Sequence, residues 1–149
     1  SGQRAVPRQD VLVYPWVVHL MANAQGLDLA TRVVGTDAAL LLPPMPKARC
    51  AAILRELLEG WRAGQCRPAP VALQAALAWL QAEAEGRDPH ADAVRAYEGS
   101  EHQTGDLQRS PYHRRMYPDP ESLLQDPGFR RWTDVLYRPL FEVVRETGA

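Results

Sequence analysis

Four histidines (His19, His90, His102, His113), two cysteines (Cys50, Cys66) and a single lysine (Lys47) are the residues of this 149-residue chain best suited to chemistry. A zinc site wants His or Cys ligands at close, regular spacing. No two of these histidines stand at i, i+3 or i, i+4 with a partnering acid or Cys, and no CxxC pair exists. Neither a metal site nor a cofactor is expected. His19, between Trp16 and Met21 on an apolar stretch, reads as a hydrogen-bonded, partly buried side chain, and the cysteines read as small hydrophobes. Acyl transfer and nucleotide hydrolysis have no visible machinery, since GxSxG and the P-loop are both missing.

Metal-dependent nuclease chemistry needs a pair of acids to hold Mg²⁺ and a nearby Lys. Lys47 follows Met45-Pro46, so no D/E-x-K triplet occurs. Asp28 and Asp37 flank an extended region without a lysine partner, and Asp37 is more simply a turn former. No catalytic residue is assigned.

Net charge is -1, which gives no global field for nucleic acid. Between Arg109 and Arg138, six Arg face four acids, Asp119, Glu121, Asp126 and Asp134, an excess too small to argue from by itself. Arg109, Arg114, Arg115, Arg130 and Arg131 are the candidate DNA contacts. Arg114-Arg115 and Arg130-Arg131 read more simply as solvated faces pairing with Asp119, Glu121 and Asp134. Arg109 and Arg138 sit near aromatics and could stack on them.

The elements that must carry these residues read as α+β, mostly helical with one β-hairpin. A helix is expected over residues 8–25, with Leu12 or Val13, Trp16, Val17, Leu20 and Ala24 on one face, Asp10 as cap and Gly26 as stop. Residues 27–43 read as a hairpin around Gly35-Thr36-Asp37, stopped by Pro43, Pro44 and Pro46. Two strands alone are marginal, so helices cover them or they edge a larger sheet. A helix over 47–63 places Ala51, Leu54, Leu57, Leu58 and Trp61 on a stripe and ends at Gly64. Cys66–Pro70 is a Pro-rich turn, residues 71–85 an Ala-rich helix, and Asp88 caps a helix running through Tyr97. Residues 98–111 read as a loop. Short helices follow near Tyr112–Tyr117 and Pro120–Gln125, then a final helix near 129–147 kinked by Pro139.

Size and composition fit one globular domain over residues 1–149, with 1–95 as its body and 96–149 as an aromatic-rich tail packing on it. Apolar runs are far short of a membrane span, and scarce cysteines favour a reducing cytoplasm. The Ser-Gly opening without Met suggests a piece of a longer protein. Tyr97, Tyr112, Tyr117, Trp132 and Tyr137, with Phe129, punctuate the tail beside turn formers or charges. Buried aromatics dominate packing, so these are expected to clasp the fold or to dock a partner. Packing is favoured over base stacking for Tyr112 and Tyr117.

Four tail segments carry a resemblance: Ala96-Tyr97-Glu98-Gly99, Gly105-Asp106 with Ser110-Pro111-Tyr112, Tyr117-Pro118-Asp119, and Trp132 through Leu140. Trp16-Val17-Val18-His19-Leu20 and Arg67-Pro68-Ala69-Pro70 fit more loosely, the latter with Ala where the family has Leu. Together they resemble the C-terminal end of the gamma subunit of exodeoxyribonuclease V, the RecC family. The resemblance implies part of a degenerate PD-(D/E)xK nuclease-like domain without catalytic residues. It also implies scaffolding and strand guiding within a RecBCD-type helicase–nuclease in double-strand-break repair and recombination. RecB-like and RecD-like subunits, and DNA through the assembled complex, are the implied partners, with no membrane involved. The competing reading is a stand-alone protein-interaction domain with an aromatic docking tail.

Overall fold

A computed structural model of the chain describes residues 11–35 and 38–148. Asp10, expected as a cap, and the turn residues Thr36 and Asp37 lie outside the described residues. The described residues divide into two compact units, one running up to Glu59 and resuming at Pro139, the other spanning Gly60–Arg138.

In the first unit, α1 (Val13–Ala24) carries Pro15 in its first turn, where a missing N–H costs least. Its buried positions are Trp16, His19, Leu20 and Asn23. The expected face therefore holds at Trp16 and Leu20, while two polar side chains take the places given to Val17 and Ala24. Asn23 makes this tolerable. Its amide nitrogen donates to the carbonyls of His19 (2.9 Å) and Leu29 (3.0 Å), and its oxygen accepts from Leu29 N (3.1 Å). His19 Nδ1 lies 2.9 Å from Thr31 Oγ1. Burial lowers the pKa of His19, with the Pro43 carbonyl acting in opposition. Among the described residues, Trp16 Nε1 and His19 Nε2 are buried without a hydrogen-bond partner.

Strands β1 (Thr31–Val34) and β2 (Ala39–Leu42) pair antiparallel in the register Thr31↔Leu42, Val33↔Leu40, and Gly35 N donates to Ala38 O at 2.8 Å. Alternation sends Leu40 and Leu42 into the core. Helix α2 (Lys47–Cys66) begins in this unit. The core joins Leu12, Trp16, Leu20, Leu40, Leu42, Met45 and Cys50 to Leu140, Val143 and Val144 of the last helix.

The second unit is built from short helices that start alike. Helices α4 (Pro89–Glu98), α6 (Pro111–Met116), α7 (Pro120–Leu124) and α8 (Pro127–Trp132) each open on a proline. Asp88, Asp119 and Asp126 precede three of them and accept hydrogen bonds from their first amides. Helix α3 (Leu73–Glu85) buries Ala75, Ala76 and Ala82, small residues that let neighbours approach. Ala72, Ala75, Ala93, Tyr97, Tyr117, Leu123 and Phe129 form the core, and Trp79 meets Phe129 edge-on at 5.8 Å.

Several expectations change. Among the described residues there are two sheets, because Gly99–Ser100 (β3) and Gln103–Thr104 (β4) pair inside the segment read as loop, and α5 (Asp106–Arg109) follows. Pairs this short leave no alternation to read. Gly64 does not end α2, since a Cβ there would meet nothing within 4 Å and its backbone stays helical. On the same helix Leu58 and Trp61 are exposed, and Cys50 is the buried anchor. The final helix is interrupted ahead of Pro139 by a π-helical turn over Thr133–Tyr137, after which α9 (Arg138–Gly148) resumes. Proline has no N–H for the carbonyl four residues back, and it stands in the first turn of α9. Among the described residues, no helix is long and apolar enough to cross a membrane.

Candidate functional site

In the second unit the chain between Pro68 and Ala75 has few internal ways to satisfy its backbone. Pro70 has no N–H, and α3 starts after Ala72, which offers no side-chain cap. The later chain provides the partners. Asp106 accepts from Gln74 N (3.2 Å) and Ala75 N (2.9 Å), capping α3 from another element. His113 Nε2 lies 2.8 Å from the Val71 carbonyl, and the Tyr112 hydroxyl donates to Ala69 O at 3.0 Å. The Tyr117 hydroxyl reaches Pro68 O at 3.4 Å. His113 Nδ1 also faces the Asp106 carbonyl at 3.2 Å. A neutral ring has one N–H and satisfies one of these two carbonyls, whereas a protonated ring satisfies both.

A second layer holds the first. Buried Tyr97 donates to the Tyr117 carbonyl at 2.6 Å. Gly99 and Gly105 touch backbone to backbone: a Cβ on Gly105 would lie 2.3 Å from the Tyr97 carbonyl and 2.4 Å from Gly99 N. Gly99 also sits at φ +84°, where side chains are strained. Burial pushes the phenols of Tyr97, Tyr117 and Tyr137 up to about 12. For Tyr97 the charges of Asp106 and Asp119 add to the effect. Burial also raises the Asp106 carboxyl, opposed by the amides of Ala75 and Gln74 and by His113 and Arg109.

The five candidate arginines are dispersed. Arg109 Nε donates to Thr104 O (3.1 Å) and Arg114 to Gln108 O (2.8 Å), so both close local backbone. Arg115 is exposed. Arg130 stacks 4.4 Å over Trp79 and reaches Glu83 at 3.1 Å, while Arg131 lies 4.9 Å over Trp132. Arg138 bridges Glu83 (2.7 Å) and Asp134 (2.6 Å). The hydrogen bond from Arg138 is the main reason the Glu83 carboxyl is held low, with Trp79 and Arg130 adding to it. Of the candidate aromatics, Tyr97, Tyr117 and Trp132 are buried, Tyr137 is half-buried and Tyr112 is exposed. Among the described residues, no group of three or more His, Cys, Asp or Glu side chains is placed to hold a metal ion.

Asp106 stands in the sequence only as a motif letter and His113 only as a weighed metal ligand, and no local pattern there reveals their joint role on α3. Glu83 and Asn23 were not singled out at all. The available signal was Gly105-Asp106 next to a helix start, Ala72-Leu73, that lacks a cap of its own.

The arrangement is a hydrogen-bonded clasp, and its chemistry is structural. Residues 6–84 match the family model of the RecC C-terminal domain, more than half of the chain. The chain belongs to the RecC C-terminal domain family. Trp16-Val17-Val18-His19-Leu20 and Arg67-Pro68-Ala69-Pro70 fall inside the RecC match, which ends ahead of the tail segments. The RecBCD enzyme subunit RecC of Mycobacterium tuberculosis (strain CDC 1551 / Oshkosh) is 28% identical over 109 residues, covering 69% of this chain and 10% of that protein. The same subunit from strain ATCC 25618 / H37Rv gives the same figures. The chain thus spans about a tenth of the length of the curated RecC relatives it matches.

Proposed function

We propose that the chain is a non-catalytic C-terminal domain of a RecC-type subunit, working inside a RecBCD-type helicase–nuclease in double-strand-break repair and recombination. It scaffolds RecB-like and RecD-like subunits and helps guide unwound strands, with the cytoplasm as its compartment. The match of residues 6–84 to the RecC C-terminal domain carries this reading. Support from chemistry is that the lone Lys47 has no acid two residues ahead of it.

The fold fits a nuclease-like ancestry in one respect. β1 and β2 form a two-stranded sheet, marginal by itself, and Val34 and Leu41 on its other face are exposed. We propose that this hairpin extends a degenerate nuclease-like sheet. The tail aromatics act as a clasp in this reading, supported by the burial of Tyr97, Tyr117, Phe129 and Trp132.

Deleting these residues from the RecC-type subunit and co-purifying it with RecB-like and RecD-like subunits tests the scaffold. Loss of a partner is expected. A deleted subunit that assembles and unwinds linear duplex normally would overturn the proposal.

A further inference from the structure

Helix α1 has a second apolar side. Val11 precedes the helix, and Tyr14, Val18 and Met21 follow at steps of four and three residues on one of its faces. They are 52%, 80%, 45% and 56% exposed. No Asp, Glu, Lys or Arg occurs between Val11 and Ala24. A surface helix keeps a charged side toward water, and a helix apolar all round is one that is covered all round.

We propose that the outward face of α1 is a permanent interface, covered in a RecC-type subunit by polypeptide outside the tenth of its length matched here. This rests on the reading of the chain as one domain of such a subunit. Two observations select that occupant. An uncharged face offers no complementary charge to steer or select a transient partner, and permanent interfaces are the more hydrophobic class. The area is also small. Four partly exposed side chains offer on the order of 400 Å², against roughly 800 Å² per partner for a stable complex of separate chains. A second copy of this chain would gain too little from this face. A segment of the same polypeptide is held nearby by the chain itself, at high effective concentration, and needs no such area. It presents an apolar, uncharged groove, with room for the Tyr14 ring.

Tyr14→Cys and Val18→Cys, each combined with Cys66→Ser, are labelled with a maleimide in the 149-residue chain and in the full-length RecC-type subunit. Labelling is expected to be at least tenfold slower in the long subunit at both positions. Val18→Lys gives a second readout, leaving the melting temperature of the short chain within about a degree and lowering that of the long subunit. Equal labelling in both contexts overturns the inference. So does a dimer of the short chain that Tyr14→Glu dissociates, which assigns the face to a second copy. An intact mass of the native product limited to these residues overturns both this inference and the reading beneath it. A longer product with equal labelling overturns this inference alone.

Discussion

The carboxylate of Asp106 accepts the amide of Ala75 at 2.9 Å across 31 residues of chain. With the second bond from Gln74, a residue of one short helix caps the start of another helix. Asp106→Ala leaves the buried amide of Ala75 and the partly buried amide of Gln74 unpaired, and an unsatisfied buried donor costs about 1–3 kcal/mol. Asp106→Asn keeps one acceptor and turns its NH₂ toward the other amide, so it recovers part of the loss. Thermal melts should rank wild type above Asn, and Asn above Ala. Equal melting of all three would show that the cap contributes nothing.

The two best-connected carboxyls respond to acid in opposite senses. The Asp106 carboxyl is raised above its ordinary value, chiefly by burial, so the fold holds its proton more tightly than the unfolded chain does. Its contribution therefore improves as pH falls through its folded pKa. Glu83 is lowered, first by the hydrogen bond from Arg138, so its contribution is present above the unfolded value and is lost as pH falls through the folded one. An acid titration of Glu83→Gln should lose less stability below pH ~4.5 than wild type, and Asp106→Asn should lose more.

At the alkaline end the tyrosines decide. Tyr97, Tyr117 and Tyr137 are pushed up to about 12 by burial. A raised folded pKa gives stability that is complete below the unfolded value near 10 and is lost as pH rises toward 12. Of the five tyrosines, Tyr97, Tyr117 and Tyr137 should show phenolate absorbance only as pH rises toward 12, together with unfolding. Ionisation of all five near 10 in a chain that stays folded would contradict the burial.

How much of this was legible follows from the residue types involved. The start of α4 was readable because an Asp-Pro pair acts locally: Asp88 caps it through His90 N at 3.0 Å, as its sequence position predicts. The hairpin was readable because two β-capable runs flank a Gly-containing turn signal. Leu58 and Trp61 failed because apolar spacing on a long helix gives the stripe but not its depth, and here Cys50 holds the buried position. The β3–β4 pair, the Asp106 cap and the carbonyl partners of Tyr112 and His113 depend on contacts far along the chain. No local pattern encodes those. Gly105 stood in the quoted segment, yet the reason for glycine there, a backbone approach to Tyr97 and Gly99, is a property of the packed unit alone.

Gly105→Ala turns that approach into a measurement. Its new methyl would meet backbone atoms 2.3–2.5 Å away, and backbone cannot swing aside as a flexible side chain can. Overpacking typically costs about 1–3 kcal/mol and occasionally more. The expected result is a clear loss of melting temperature, while Gly64→Ala, with open space around its Cβ inside a helix, should gain up to about 1 kcal/mol. Similar melts for the two variants would show that the Gly99–Gly105 contact is looser than described.

Trp132 gives the sharpest test of the clasp. It is buried, and its ring lies so close to Gly60 that a Cβ there would sit 3.0 Å from the ring edge. Truncating a buried large aromatic costs about 3–5 kcal/mol, a large share of the roughly 5–15 kcal/mol a domain possesses. Trp132→Ala should therefore melt far below wild type or be recovered insoluble. Arg131→Ala removes a stacked guanidinium and no buried atoms, and Arg130→Ala removes its stack on Trp79 and an ion pair with Glu83, so each should cost no more than about 1 kcal/mol. The same arginine variants report on DNA. With net charge -1 the chain should bind duplex DNA no tighter than roughly 10⁻⁴–10⁻⁶ M at physiological salt, the range of non-specific contacts, and each lost phosphate contact should flatten the salt dependence. If Trp132→Ala melts like wild type and loses only partner binding, the tail is a docking surface and the clasp reading fails.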